Sequence, residues 1–158
     1  MYNKFRFKAR VEYKKVLSNM KKLLEFAKNS LVKDEDIYSS SVPVFAMITD
    51  LNGQVISIAR NSFIEPIDHA EIIAMKCVHQ KYLHNYYLFV TLEPCPMCQH
   101  AIELKRLKNV FFGAYRDFTV NNHSEFIGGI CEEDCSEMIQ NFFKNIRKYN
   151  ESQTLITK

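Results

Sequence analysis

The chain has 158 residues, 47% of them hydrophobic and 25% charged, with only four glycines and four prolines. That balance fits one globular domain, 1–158, around a single core and excludes a largely disordered chain. The net charge of +3 is too small to name a partner, and no apolar run approaches the roughly 20 residues of a membrane span.

The five cysteines, Cys77, Cys95, Cys98, Cys131 and Cys135, come without a secretory signal pattern. A reducing, cytoplasmic compartment is therefore expected, in which close cysteine pairs read as metal ligands rather than disulfides. Residues 1–12 make a basic arm carrying Lys4, Arg6, Lys8 and Arg10. Such a run is either a solvated helix face with a disordered start, or an arm that attracts phosphates; an organelle-targeting peptide is a third reading.

Along the chain, Val16, Met20, Leu23, Leu24, Ala27 and Leu31 recur at helical spacing and predict an amphipathic first helix. Val44 to Thr49 reads as a buried strand, Asp50-Leu51-Asn52-Gly53 as hairpin turn chemistry, and Val55 to Ala59 as the returning strand. Asp68 is placed to cap a second helix carrying Ile72, Ile73, Met75, Cys77 and Val78. Tyr86 to Leu92 reads as a central strand. Pro94 and Pro96 end that strand and open a helix to about Leu107. Val110 to Ala114 is a further strand, and Glu132 to Tyr149 the last helix. Strands alternating with helices late in the chain imply parallel crossovers and an α/β sandwich of three layers.

Two short segments carry the chemistry, Asp68-His69-Ala70-Glu71 and Glu93-Pro94-Cys95-Pro96-Met97-Cys98. Each falls where a helix begins. Cysteines three apart in a first helical turn face the same side, and the helix N-terminus favours thiolate, the metal-binding form. His69 is expected to supply a third ligand. Three protein ligands leave one tetrahedral position for water, the mark of a catalytic rather than a structural zinc. Glu71, two residues from a ligand but not one itself, suits a proton carrier. Alone, His-X-Glu says little and Cys-X-X-Cys also serves redox or structural zinc sites. Together, His-X-Glu and Pro-Cys-X-X-Cys match the signature of the zinc nucleobase deaminases.

From Pro43 to Tyr149 the chain resembles the cytidine deaminase-like superfamily, and within it the bacterial tRNA adenosine deaminases. The likeness lies in Pro43-Val44, Asn61, His69-Ala70-Glu71-Ile72, Thr91-Leu92-Glu93-Pro94-Cys95, Met97-Cys98 and Phe112-Gly113-Ala114. Gly128-Gly129-Ile130, Glu133, Cys135 and Phe142-Phe143 extend it into the closing segment. The resemblance implies an α/β/α sandwich with a central mixed sheet, one zinc per subunit and a homodimer. It also implies hydrolytic conversion of the wobble adenosine of a tRNA anticodon stem-loop to inosine. It assigns His69, Cys95 and Cys98 to the metal, Glu71 to catalysis, and Asn61 with the Ala70 backbone to the flipped-out base. Basic residues such as Lys105, Arg106, Lys108, Arg147 and Lys148 would then face the anticodon stem or simply solvent.

Several positions depart from the family pattern. Phe45 stands where glycine is usual, Gln99-His100 replaces small residues, and the loops 61–69 and 115–127 are shorter than usual. The family's Asp after Phe-Gly-Ala has two candidate counterparts, Arg116 and Asp117. Two other readings remain: deamination of a small substrate such as guanine, cytosine or cytidine, and a non-catalytic zinc-binding partner subunit. His79, His84, His100 and His123 are read as surface or packing residues, Cys77 as core, and Cys131 and Cys135 as packing.

Overall fold

The computed structural model describes residues 2–33, 41–116 and 126–156. It contains α1 (Tyr2–Lys33), the hairpin β1 (Phe45–Asp50) and β2 (Val55–Arg60), α2 (Ala70–Lys76) and β3 (Tyr86–Leu92). These are followed by α3 (Pro96–Leu104), β4 (Asn109–Ala114), β5 (Phe126–Ile127) and α4 (Glu132–Ile156). The strands form one mixed sheet in the order β2-β1-β3-β4-β5. β1 runs antiparallel to β2 and β3, whereas β3, β4 and β5 are mutually parallel. The parallel pairs follow from their connections, since a helical crossover such as α3 returns the chain to the same end of the sheet.

Both faces of the sheet are covered, and the alternation of side chains along each strand divides the core in two. Ala46 and Ile48 of β1, Leu88 and Val90 of β3, and Val110 and Phe112 of β4 pack with Ala70, Ala74, Met75 and Ile102 of α2 and α3. On the opposite face Phe45, Met47 and Phe89 pack with Val16, Met20, Leu23, Leu24 and Ala27 of α1 and with Met138 of α4. This is the expected sandwich of three layers. Strand β3, covered on both faces, buries Leu88, Phe89, Val90 and Thr91 in succession.

The hairpin turn closes as its residues dictate. Asp50 Oδ1 accepts from the amides of Asn52 and Gln54, both at 2.8 Å, and Gly53 takes φ +88°, which a side chain would resist. Four expectations need amendment. Helix α1 begins at Tyr2, so it includes positions at which composition allowed a disordered arm. Asp68 does not cap α2: the N-cap is His69, and the Asp68 carboxylate instead accepts from Lys76 Nζ at 2.9 Å. Cys77 is exposed at the C-terminus of α2 rather than in the core. β5 is a further strand, whose two residues are too few to show periodicity. Asp117 and His123 lie outside the described residues. Among the described residues, no helix is long and apolar enough to cross a membrane.

Candidate metal centre

The N-termini of α2 and α3 meet at the carboxyl end of β3. The chain enters α3 through Cys95, in extended backbone at the N-cap, with Pro96 supplying a first helical residue that needs no hydrogen-bonded amide. His69 occupies the matching N-cap of α2, also extended. Neither side chain turns back to cap its helix, so both are free to point at each other. Cys95 Sγ and Cys98 Sγ each lie 3.4 Å from the same ring nitrogen, His69 Nδ1. The three donor atoms all fall within 4.8 Å of one another, the one such His/Cys/Asp/Glu grouping among the described residues.

That spacing fits a zinc ion. With Zn–S near 2.3 Å and Zn–N near 2.05 Å, tetrahedral bonding separates sulfur from nitrogen by about 3.5 Å. Glu71, in the first turn of α2, is 1% exposed, and its Oε1 has no hydrogen-bond partner. Burying a carboxylate oxygen unpaired is costly unless something else in the site engages it.

The electrostatics point the same way. Burial raises the Glu71 pKa; the carboxylate's own backbone amide opposes this, Cys95 adds to it, and His69 and Arg116 counter it. The Cys98 hydrogen bond holds Cys95 down at about 5, against the effect of burial and with help from His69 and Arg116. Cys98, donating that bond from a buried position, is pushed up. One sulfur is thus already a thiolate at neutral pH, and a cation would draw the proton from the other.

Several residues not singled out by their motif hold this arrangement. The Gln99 side-chain amide, buried, donates to Pro94 O at 2.9 Å. Buried Thr91 Oγ1 accepts from Phe45 N at 3.1 Å. The Arg116 amide donates to Glu93 Oε2 at 3.0 Å and its Nε donates to Glu93 O at 2.6 Å. Thr91 and Glu93 carried a sequence signal as neighbours of Pro94-Cys95, whereas Gln99 and Arg116 stood out only as departures from the family pattern. Asn61 Oδ1 accepts from Val44 N at 2.8 Å, while Asn61 N donates to Val44 O at 3.1 Å. Its side-chain carbonyl is therefore spent on joining the loop to β1, leaving its amide to donate elsewhere. Ala70 is fully buried as the first residue of α2, where its N–H has no partner within the helix.

Phe45, the departure from glycine, lies on the opposite face of the sheet. It meets Phe26 edge-on at 6.1 Å and lies under the Arg60 guanidinium at 5.6 Å, away from the layer that holds His69 and the cysteines. Cys135 is buried, and burial first and Cys131 second raise its pKa to about 12. His79, His84 and His100 are exposed. Lys105 Nζ donates to Gln80 O at 2.9 Å, and Arg106 stacks on Tyr82 at 3.9 Å.

Residues 17–114 match the model of the cytidine and deoxycytidylate deaminase zinc-binding region. The chain is 33% identical over 150 residues to the tRNA-specific adenosine deaminase of Bacillus subtilis, covering 82% of this chain and 89% of that one. A solved deaminase/reductase of Thermotoga maritima acting on a phosphoribosylaminopyrimidine superposes with a TM-score of 0.65 at 26% identity, over 87% of this chain and 43% of that one. The guanine deaminase of Nitrosomonas europaea, at 16% identity, shares the fold with a TM-score of 0.66 over 80% of this chain and 83% of that one. The matched segment contains His69, Glu71, Cys95 and Cys98, and the chain belongs to the zinc-binding cytidine and deoxycytidylate deaminase family.

Proposed function

We propose that the protein is a hydrolytic deaminase that converts the wobble adenosine of a tRNA anticodon to inosine, with His69, Cys95 and Cys98 holding one zinc and Glu71 carrying protons. The observation that carries the reading is the convergence of both sulfurs on His69 Nδ1 beside the buried, unpartnered Oε1 of Glu71. The substrate assignment is supported by relatives in Bacillus subtilis and Aquifex aeolicus, 33% and 36% identical, that are named tRNA-specific adenosine deaminases.

A zinc ion held by these ligands supplies Lewis-acid activation of water at neutral pH. The chain's own residues account for the rest. In hydrolytic deamination a water oxygen bonds to the ring carbon that bears the amine, the carbon–nitrogen bond breaks, and ammonia departs. Glu71 carries one proton of the water to the ring nitrogen and then, as the hydroxyl on the carbon becomes a carbonyl, carries the second to the leaving amine. Its burial favours the protonated carboxyl, the state from which delivery occurs. The Asn61 amide and the Ala70 backbone N–H, both at the entry to α2, are assigned to the base. A homodimer and a cytoplasmic location complete the proposal; the latter is supported by five free cysteines.

The test is to incubate zinc-loaded protein with an anticodon stem-loop carrying adenosine at the wobble position, and separately with guanine, cytosine, adenosine and cytidine. Inosine in the stem-loop is expected. Ammonia from a free base or nucleoside alone would replace the tRNA reading with a small-molecule one. No turnover of any substrate, with zinc bound, would favour a non-catalytic subunit.

A further inference from the structure

We propose that Arg116 is the phosphate contact of this site, its guanidinium binding a phosphate of the nucleotide whose base is deaminated. The inference rests on the deaminase reading above and narrows its substrate to a phosphate-bearing nucleotide rather than a free base. Three observations carry it.

The first is position. Arg116 follows β4 by two residues, and β4 is parallel to β3, whose carboxyl end leads into Cys95. Arg116 thus emerges at the sheet edge that bears the metal centre, the end of a parallel sheet at which ligands bind. Its charge reaches both Glu71 and Cys95.

The second is orientation. The Arg116 amide donates to Glu93 Oε2 at 3.0 Å and Nε donates to Glu93 O at 2.6 Å. These two bonds fix the residue at both backbone and side chain. A guanidinium has five N–H donors in one plane, so locking Nε sets the direction of the outer fork while leaving it unspent.

The third is an outer fork with no hydrogen-bonded carboxylate. Arg116 is half-buried, yet among the described residues no carboxylate forms an ion pair with it: the Glu93 carboxylate is taken by the Arg116 amide and its carbonyl by Nε. A partly desolvated, pre-oriented guanidinium whose outer nitrogens bond no anion among the described residues can take a ligand that brings one. Phosphate matches the fork with two parallel bonds, which an ammonium group cannot reproduce.

The test measures equilibrium binding, by fluorescence anisotropy of a labelled anticodon stem-loop and by competition with adenosine and adenosine 5′-monophosphate. Zinc-loaded wild type, Arg116→Gln and Arg116→Lys are compared across a salt series, with zinc per chain measured for each. Arg116→Gln is expected to weaken stem-loop binding about tenfold and to reduce the slope of log affinity against log salt by about 0.7–1. Arg116→Lys, which keeps the charge and loses the Nε bond, is expected to restore most of that slope, with zinc at one per chain throughout.

Arg116→Gln binding like wild type at every salt concentration would overturn the proposal. So would Arg116→Lys losing as much slope as Arg116→Gln, or zinc loss in both variants, since Arg116 would then only hold the Glu93 segment. The tRNA reading fails separately. If wild type does not prefer the stem-loop over a scrambled hairpin but prefers the monophosphate over adenosine by a margin that Arg116→Gln removes, the phosphate contact stands without tRNA. Absence of any preference for the monophosphate or the stem-loop would sink both.

Discussion

His69 and Cys95 sit at helix N-cap positions, where Ser, Thr, Asp or Asn ordinarily bond the first amides. Their side chains forgo that bond and converge instead, with the sulfurs of Cys95 and Cys98 each 3.4 Å from His69 Nδ1. The signature pattern made these three legible in sequence, because the spacing of two cysteines and the helix-opening prolines constrain where the sulfurs point. Arg116 and Gln99 were legible only as departures from the family pattern, not by what they hold. Their contributions run through backbone carbonyls of Glu93 and Pro94, and a bond to a carbonyl leaves no mark on the identity of its partner. Asp68 misled for a related reason: it looks like a cap, but Lys76, eight residues on, takes its carboxylate. At this scale the expectation is that Cys95→Ser lowers zinc affinity by at least about 10–100-fold, the range that changes outside the ligand shell already cost. Zinc content after dialysis checks it, and full retention would point to a different ligand set.

The elements around the site are short, and close packing rather than length fixes them. α2 has seven residues, too few to be stable alone, and is held by its buried Ala70, Ala74 and Met75 against the sheet. On the other face, α4 approaches β4 at Gly113. A Cβ there would lie 2.2 Å from Cys135 Sγ and 3.0 Å from the Thr91 carbonyl oxygen, so the backbone contact itself requires glycine. Gly113→Ala is therefore expected to cost about 1–3 kcal/mol through overpacking, lowering the melting temperature by several degrees in a thermal denaturation followed by circular dichroism. An unchanged melting temperature would mean that α4 and β4 can separate without cost. The strands and helices themselves were largely readable, since β1, β2, β3 and β4 carry dense apolar runs and α1 and α4 carry stripes. β5 was not, because its pairing with β4 at Val110–Phe126 and Phe111–Ile127 is a tertiary fact that two residues cannot announce.

For the whole molecule, the sheet order β2-β1-β3-β4-β5 explains why the site lies where it does. Parallel β3 and β4 deliver Cys95 and Arg116 to one edge, and the crossover through α2 returns His69 and Glu71 to the same edge. The alternation of strands and helices predicted the layers. It did not predict that β1 turns the Phe45 ring toward α1, into the layer opposite the metal ligands. The chain thus combines a layered scaffold with one buried carboxylate beside three convergent ligands. The most direct measurement is turnover of zinc-loaded Glu71→Gln beside wild type on whichever substrate the wild type deaminates. The account predicts one zinc per chain in both proteins and a loss of kcat of about 10²–10⁴-fold in the variant. A variant that keeps its zinc and turns over at the wild-type rate would contradict it.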